Sequence, residues 1–138
     1  MIVFDGENCV LGRVATQAAK KALEGENVAI VNAEKMIIVG NEKDIIQRYR
    51  EKFEIRNISL PEHSPKVSRR PDLFVKRTIR GMLPSHSSRR LNAMKRIKAY
   101  IGVPKELEGK ASKAFELKDT DKKHVTVEFL CKKIGWKG

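Results

Sequence analysis

The 138-residue chain has few cysteines and aromatic residues, and it contains no long hydrophobic run. Cys9 and Cys131 lie far apart and form no Cys-x-x-Cys pair, so we expect two reduced thiols in a cytoplasmic protein. The three histidines are scattered without zinc-ligand spacing, and we expect no metal and no other cofactor. No apolar stretch approaches the ~20 residues that cross a bilayer, and the N-terminus has no signal-peptide pattern. We therefore expect no membrane partner.

Acidic residues are scarce in the middle third of the chain. Of the formal net charge of +12, residues 55–100 carry +10, because twelve lysines and arginines face only Glu62 and Asp72. The first 54 residues carry −1 and the last 38 carry +3. Self-repulsion makes such a block costly, and its usual compensating partner is a polyanion. Eight of the twelve cations are arginines, whose planar fork suits phosphate and stacks on bases.

The N-terminal segment predicts a strand–helix–strand unit. Residues 2–4 form a short apolar run, and residues 11–22 repeat apolar side chains at helical spacing before Gly25, a suitable C-cap. Residues 28–31 are continuously apolar, as in a strand buried on both faces. Short connections favour a parallel unit of an α/β domain. Residues 36–39 follow too closely for another helical crossover, so we expect a local extension or hairpin, which leaves the sheet parallel or mixed.

The rest of the chain divides into helices and arms. A second amphipathic helix begins after Asn41. Residues 57–70 lose periodicity and contain two prolines, which predicts a loop or extended arm. Residues 105–123 are polar and rich in lysine, and we expect a second arm there. Thr126 is suited to cap a last short helix, which Gly135 follows.

A basic amphipathic helix begins at Pro71 and ends before Pro84. At about 100° per residue, one face carries three cations: Lys76, Arg77 and Arg80. The opposite face is apolar, and we expect its residues to pack against the core: Val75, Ile79, Met82 and Leu83. A charged helix face is often merely solvated, but residues 76–98 contain no acidic residue that would neutralise these cations.

Two features of the sequence could suit small-molecule chemistry. Residues 5–13 join a strand to a helix, where nucleotide-binding α/β proteins hold phosphate. They lack the Gly-x-Gly-x-x-Gly and Gly-Lys-Ser/Thr patterns, and Asp5 and Glu7 would repel phosphate. We expect Gly6 and Gly12 to serve backbone geometry instead. No cysteine or histidine lies in a recognised nucleophile motif, so we expect no enzymatic activity and no small-molecule substrate.

The basic block is better suited to nucleic acid. Its aromatic residues are few, and Phe74 and Tyr100 both suit the core, which favours backbone and shape recognition of folded RNA over base stacking. No zinc finger, heptad or RNP motif is present. Hydroxyls can add contacts to phosphates or 2′-hydroxyls, and these are Thr78, Ser85, Ser87 and Ser88. The candidate RNA-binding residues are Lys66, Arg69, Arg70, Lys76, Arg77, Arg80, Gly81, Ser85, Arg89, Arg90 and Arg96.

Residues 69–84, RRPDLFVKRTIRGMLP, closely resemble the signature of the L-thirteen family of large-subunit ribosomal proteins. Further segments similar to the family are residues 10–15, 31–35 and 89–102. Gly135-Trp136 resembles an ending common in the archaeal and eukaryotic branch, and the lack of a long C-terminal extension favours an archaeal-type member. The resemblance covers nearly the whole chain, although residues 41–61 depart from the bacterial pattern.

The resemblance implies one RNA-binding domain over residues 1–138, with a basic middle region (55–100) and a C-terminal extension (105–138). Its fold would be a three-layer α/β/α arrangement around about four strands, with residues 97–101 as a strand where periodicity alone permits helix or strand. It implies a structural constituent of the large ribosomal subunit that binds ribosomal RNA, contacts neighbouring ribosomal proteins and supports early assembly. Two alternatives remain: a messenger-RNA-binding regulator acting off the ribosome, and an α/β enzyme acting on a nucleotide.

Overall fold

A computed structural model describes residues 1–111 and 122–138, and it shows an α/β fold, as expected. The strands are β1 (Ile2–Asp5), β2 (Val28–Val31), β3 (Ile37–Val39), β4 (Ile97–Ala99) and β5 (His124–Thr126). The helices are α1 (Leu11–Glu24), α2 (Glu42–Glu54), α3 (Pro71–Met82), α4 (Ser88–Arg96) and α5 (Val127–Lys133). Single 3₁₀ turns occupy Ala33–Lys35, Pro61–His63 and Lys105–Leu107. In the described ranges, no helix has the length and apolar character of a membrane span.

A parallel sheet in the order β1-β2-β4 forms the centre of the molecule. All four residues of β2 are buried, as the continuous apolar run predicts for a strand with neighbours on both edges and cover on both faces. Helix α1 connects β1 to β2 and ends at Gly25, whose φ of 103° lies in the left-handed region. The expected parallel strand–helix–strand unit is therefore confirmed. Strand β4, at Ile97–Ala99, also confirms the strand that the resemblance implied, although it is shorter.

Strand β3 belongs to a separate two-stranded sheet with β5. The two strands are antiparallel, with Ile37 opposite Thr126. The expectation of a local extension or a hairpin at this segment was wrong, because β3 belongs to a separate sheet and its partner is a strand near the C-terminus. The Ile37 amide also donates to the Cys9 carbonyl at 2.9 Å, which fixes β3 beside the start of α1. Of the expected C-terminal arm, residues 112–121 lie outside the described part of the chain.

Successive side chains of the parallel sheet point to opposite faces. One face contributes Phe4, Ile30 and Ile97 to a hydrophobic cluster that contains residues from all five helices. The other face contributes to a second, smaller cluster, whose buried members are Val3, Ala29, Val31 and Leu107. Half-buried Tyr100 packs against this second cluster. On this face, the described cover therefore includes Leu107 of the 3₁₀ turn, Tyr100 and Ala111.

Helix α3 packs against the first cluster through one side. Val75 and Ile79 are fully buried and Leu83 is nearly so, as the helical pattern predicts. Met82 is 42% exposed, so its expected place in the core was wrong. Met82 is the last residue of α3, and its sulfur accepts a hydrogen bond from the exposed Thr16 hydroxyl at 3.6 Å, so this side chain lies at the surface.

Candidate nucleic-acid interface

A cationic groove of about 280 Å³ lies beside α3, and we call it the α3 groove. Its lining residues are Lys66, Ser68, Leu73, Lys76, Arg77, Arg80 and Met94. Four of the seven are cations and none is acidic. The groove joins the arm before α3, the outer face of α3 and one residue of α4, so tertiary packing brings the predicted cations Lys66, Lys76, Arg77 and Arg80 together.

The orientation of α3 follows from its buried side. Leu73, Lys76, Arg77 and Arg80 stand at positions i, i+3, i+4 and i+7, which share one helix face. Because the opposite residues are locked in the core, this face must point outward. The helix starts cleanly at Pro71, where a missing N–H costs nothing. The same packing that stabilises the helix therefore holds the cations in a fixed array.

The four groove cations differ in what else they contact. The Arg77 guanidinium donates a hydrogen bond to the Lys66 carbonyl, which ties the arm to α3. Within residues 1–111 and 122–138, the side chains of Lys66, Lys76 and Arg80 take part in no ion pair. Three charges thus stand unneutralised along one groove, while Arg77 positions the wall that carries one of them.

Arg69 and Arg70 lie outside the groove lining and have contacts of their own. Arg70 forms a bidentate salt bridge with Asp72 in the first turn of α3. Its Nε donates to Oδ1 at 3.2 Å and its Nη2 donates to Oδ2 at 3.0 Å. The pair is exposed on the arginine side, so it contributes little stability. The Arg69 guanidinium lies 5.1 Å from the centre of the Phe53 ring, a cation–π arrangement with α2. Arg69 therefore points toward α2 rather than into the groove.

The turn before α4 and the first residues of α4 follow α3 in the chain. The Ser87 hydroxyl accepts the Arg89 amide at 3.2 Å and caps α4, so this hydroxyl serves the fold. Ser85 and Arg89 are exposed, and Arg90 is half-buried. In the part of the chain that the structure describes, neither arginine is paired with an acid. Their use as RNA contacts stays a prediction. The Thr78 hydroxyl is also engaged, since it donates to the Phe74 carbonyl at 3.1 Å.

The glycines separate into those that the fold requires and those it does not. A Cβ on Gly6 would lie 2.7 Å from the Met36 side chain and 2.9 Å from the Asn32 carbonyl oxygen, so close backbone approach explains Gly6. A Cβ on Gly81 would meet nothing within 4 Å, and the same is true of Gly12. The structure gives no geometric reason for Gly12. Inside the molecule Gly81 is replaceable. Its place among the RNA-binding candidates, where the lack of a side chain would let RNA or a neighbouring backbone approach closely, stays a prediction.

Arg96 lies apart from the α3 groove. Its guanidinium donates to the Ala22 carbonyl at 3.4 Å, near the end of α1. It lines a different cavity, together with Lys95, Lys98 and Lys105. Sequence reasoning missed these three lysines as candidates. The available signal was Lys98, a charge in the middle of an otherwise apolar strand.

The loop after β1 is held by its acidic residues. The Asp5 carboxylate accepts the Glu7 amide at 3.0 Å and the Asn32 side-chain amide at 2.9 Å. Glu7 pairs with Lys35 at 3.0 Å. The edge of the sheet where nucleotide phosphates bind in many α/β proteins therefore carries carboxylates that brace the backbone.

The cysteines do not have the character of reactive groups. Cys9 and Cys131 are both buried. Burial raises the pKa of the Cys131 thiol to about 12, so this thiol is protonated at neutral pH and is a poor nucleophile. Across residues 1–111 and 122–138, no group of three His, Cys, Asp or Glu side chains is arranged to hold a metal ion.

Comparison with known proteins identifies the family. The family model described as ribosomal protein L13 matches residues 1–106. A large ribosomal subunit protein uL13 from Methanocaldococcus jannaschii is 42% identical over 138 residues, covering 99% of both chains. The protein of the same name from Saccharolobus solfataricus is 37% identical over 142 residues, covering 100% of this chain and 95% of its own. That from Methanococcus maripaludis is 48% identical over 105 residues, covering 75% of this chain and 77% of its own. The chain therefore belongs to the ribosomal protein L13 family, with archaeal relatives, as its signature residues indicate.

Proposed function

We propose that this protein is a structural constituent of the large ribosomal subunit that binds ribosomal RNA through the α3 groove and supports early subunit assembly. As a ribosomal protein of this family, it is located on the ribosome, in the cytoplasm. Its relatives carry the name of a large-subunit protein. Its partners would be large-subunit RNA and neighbouring ribosomal proteins, with no small-molecule substrate. The family is one of structural ribosomal proteins, and we infer that this chain has no enzymatic activity.

One observation carries the RNA-binding part of the proposal. The α3 groove presents Lys66, Lys76 and Arg80 without an acidic residue among its lining. Such an array repels itself in the free protein, and a phosphate backbone relieves that repulsion while releasing its own counterions. The further contacts, which lie outside the groove lining and stay predictions, are Arg69, Arg70, Gly81, Ser85, Arg89 and Arg90. The Arg70 side chain is exposed, although its partner Asp72 is half-buried, so Arg70 would have to leave Asp72 to contact phosphate.

We infer different roles for the cations of the α3 groove. Lys76, Arg80 and Lys66 would contact phosphates directly. Arg77 would act through the arm, because its guanidinium already donates to the Lys66 carbonyl. A variant that removes Arg77 would therefore combine loss of charge with release of the arm. A clean test of RNA contact leaves Arg77 in place.

The test is the double variant Lys76→Gln, Arg80→Gln. Clamping by about six cations predicts a slope of roughly −4 to −5 in the logarithm of RNA affinity against the logarithm of salt concentration, and loss of two should flatten it by about 1.5. The matched control is Lys43→Gln, Arg50→Gln, which removes two exposed charges from α2. We expect the groove variant to enter large subunits poorly and the control to enter them normally. Equal slopes and equal incorporation for the two variants would contradict the proposal.

A further inference from the structure

A second cationic cavity lies away from the α3 groove, and we call it the edge cavity. Its volume is about 660 Å³, within the ~300–1,000 Å³ typical of ligand sites. Its wall carries four basic side chains: Lys95, Arg96, Lys98 and Lys105. The N-terminal residue Met1 also lines it, and Glu106 is its one acidic lining residue. No residue lines both the edge cavity and the α3 groove.

Helix α4 separates the two surfaces. Met94 lines the α3 groove, whereas the next two residues, Lys95 and Arg96, line the edge cavity. Successive residues of a helix point about 100° apart, so the two surfaces open on different sides of α4. Arg96 is held in place by its hydrogen bond to the Ala22 carbonyl. One ligand strand in the α3 groove would therefore not fill the edge cavity.

The lining of the edge cavity combines cations with an apolar and aromatic floor. Tyr100, Ala29 and Leu107 line it, and all three belong to or pack against the second hydrophobic cluster. The Tyr100 backbone is fixed by its amide, which donates to the Ile30 carbonyl at 2.8 Å. A half-buried ring beside lysines is the combination that binds an unstacked base and its phosphates.

The edge of the sheet at this cavity is poorly suited to a protein strand. β4 is an edge strand of three residues, and its central residue Lys98 is exposed. A short edge strand with an exposed lysine is a common way in which proteins prevent strand pairing. Within residues 1–111 and 122–138, Lys95, Lys98 and Lys105 take part in no ion pair. The chemistry therefore favours a polyanion over an added strand.

We propose that the edge cavity is a second RNA contact, which takes one unstacked nucleotide of a loop or bulge, with its base against Tyr100 and its phosphates against Lys98 and Lys105. The inference rests on the proposed function for its RNA partner, and it adds a second, separate surface. A protein with two such surfaces joins two RNA segments. That is a specific way to support folding of a large RNA.

The test uses the full chain and a short unstructured probe, the pentanucleotide of uridine, followed by NMR of the backbone amides. We expect the probe to shift the amides of Tyr100, Lys98 and Lys105. Lys98→Glu, Lys105→Glu should weaken its binding at least tenfold, whereas Lys76→Glu, Arg80→Glu should leave these shifts in place. Tyr100→Leu should lower the affinity about fivefold or more, the loss expected for one stacked base, and Tyr100→Phe should restore it.

Two results would overturn this inference. The first is a probe that shifts only amides of the α3 groove. The second is that a hexaglutamate peptide gives the same shifts as the RNA probe and that Tyr100→Leu weakens the binding of neither. The cavity would then bind any acidic chain. The proposed function has its own readout, since the charge variant of the α3 groove is judged by incorporation into large subunits. Failure of one proposal is therefore distinguishable from failure of the other.

Discussion

Gly81→Ala should stabilise the free protein and weaken its binding to RNA. Gly81 lies in the last turn of α3, and a Cβ there would meet nothing within 4 Å. Glycine in a helix costs about 0.5–1 kcal/mol relative to alanine, and we take the lower end because the helix ends at Met82. For a domain of 138 residues, about 0.5 kcal/mol corresponds to a rise in Tm of about 2 °C.

The opposite change in RNA affinity tests the reason for a glycine at this position. Gly81 adjoins Arg80, which lines the α3 groove, and an added side chain would keep an RNA backbone away from the helix. We expect the affinity for deproteinised large-subunit RNA to fall from glycine to alanine and further to leucine, while circular dichroism shows an unchanged helix content. Unchanged affinity of Gly81→Leu would refute the close approach. A lower Tm for Gly81→Ala would refute the open space described around this helix turn.

Three further outcomes follow from single contacts. Gly6→Ala should destabilise the fold by about 1–3 kcal/mol in urea titrations, because its Cβ would overlap the Met36 side chain and the Asn32 carbonyl; a neutral effect would contradict this packing. Arg77→Ala should speed trypsin cleavage after Lys66, since the arm loses its hydrogen bond to α3; an unchanged cleavage rate would show that the arm is held otherwise. Burial raises the pKa of the Cys131 thiol from 9.0 to about 12, so stability should fall as pH rises through this window, where the unfolded thiol ionises and the folded one does not. Cys131→Ala should reduce that fall, and an equal pH dependence in both proteins would contradict the assignment.

Local patterns in the sequence predicted the elements that depend on local physics. The spacing of apolar residues gave α1 and its glycine cap, and the continuous apolar run gave β2. The pairing of β3 with β5 was missed, because β5 has three residues and only Val125 of them is buried. So short a strand is stabilised by pairing with β3, which is distant in the sequence. The periodicity of a single segment cannot reveal such a pairing.

The candidate interface was predictable where one helix determines it. The angular positions on α3 correctly grouped Lys76, Arg77 and Arg80. Their alignment with Lys66 depends on a tertiary hydrogen bond from Arg77, which no spacing reveals. Arg96 points elsewhere because α4 turns it toward the end of α1. Packing of the helices therefore divides the basic residues of the middle region between two surfaces, the α3 groove and the edge cavity.

A photo-cross-linking residue at position 73 tests most directly whether the α3 groove holds ribosomal RNA. Leu73 lines the groove and is partly exposed, so replacing it leaves the four cations intact. The same residue at position 58, in the exposed arm, serves as the comparison. In large subunits purified after a high-salt wash, we predict that position 73 cross-links to ribosomal RNA. Cross-links from position 73 to protein alone, or absence of the protein from the washed subunits, would contradict the account.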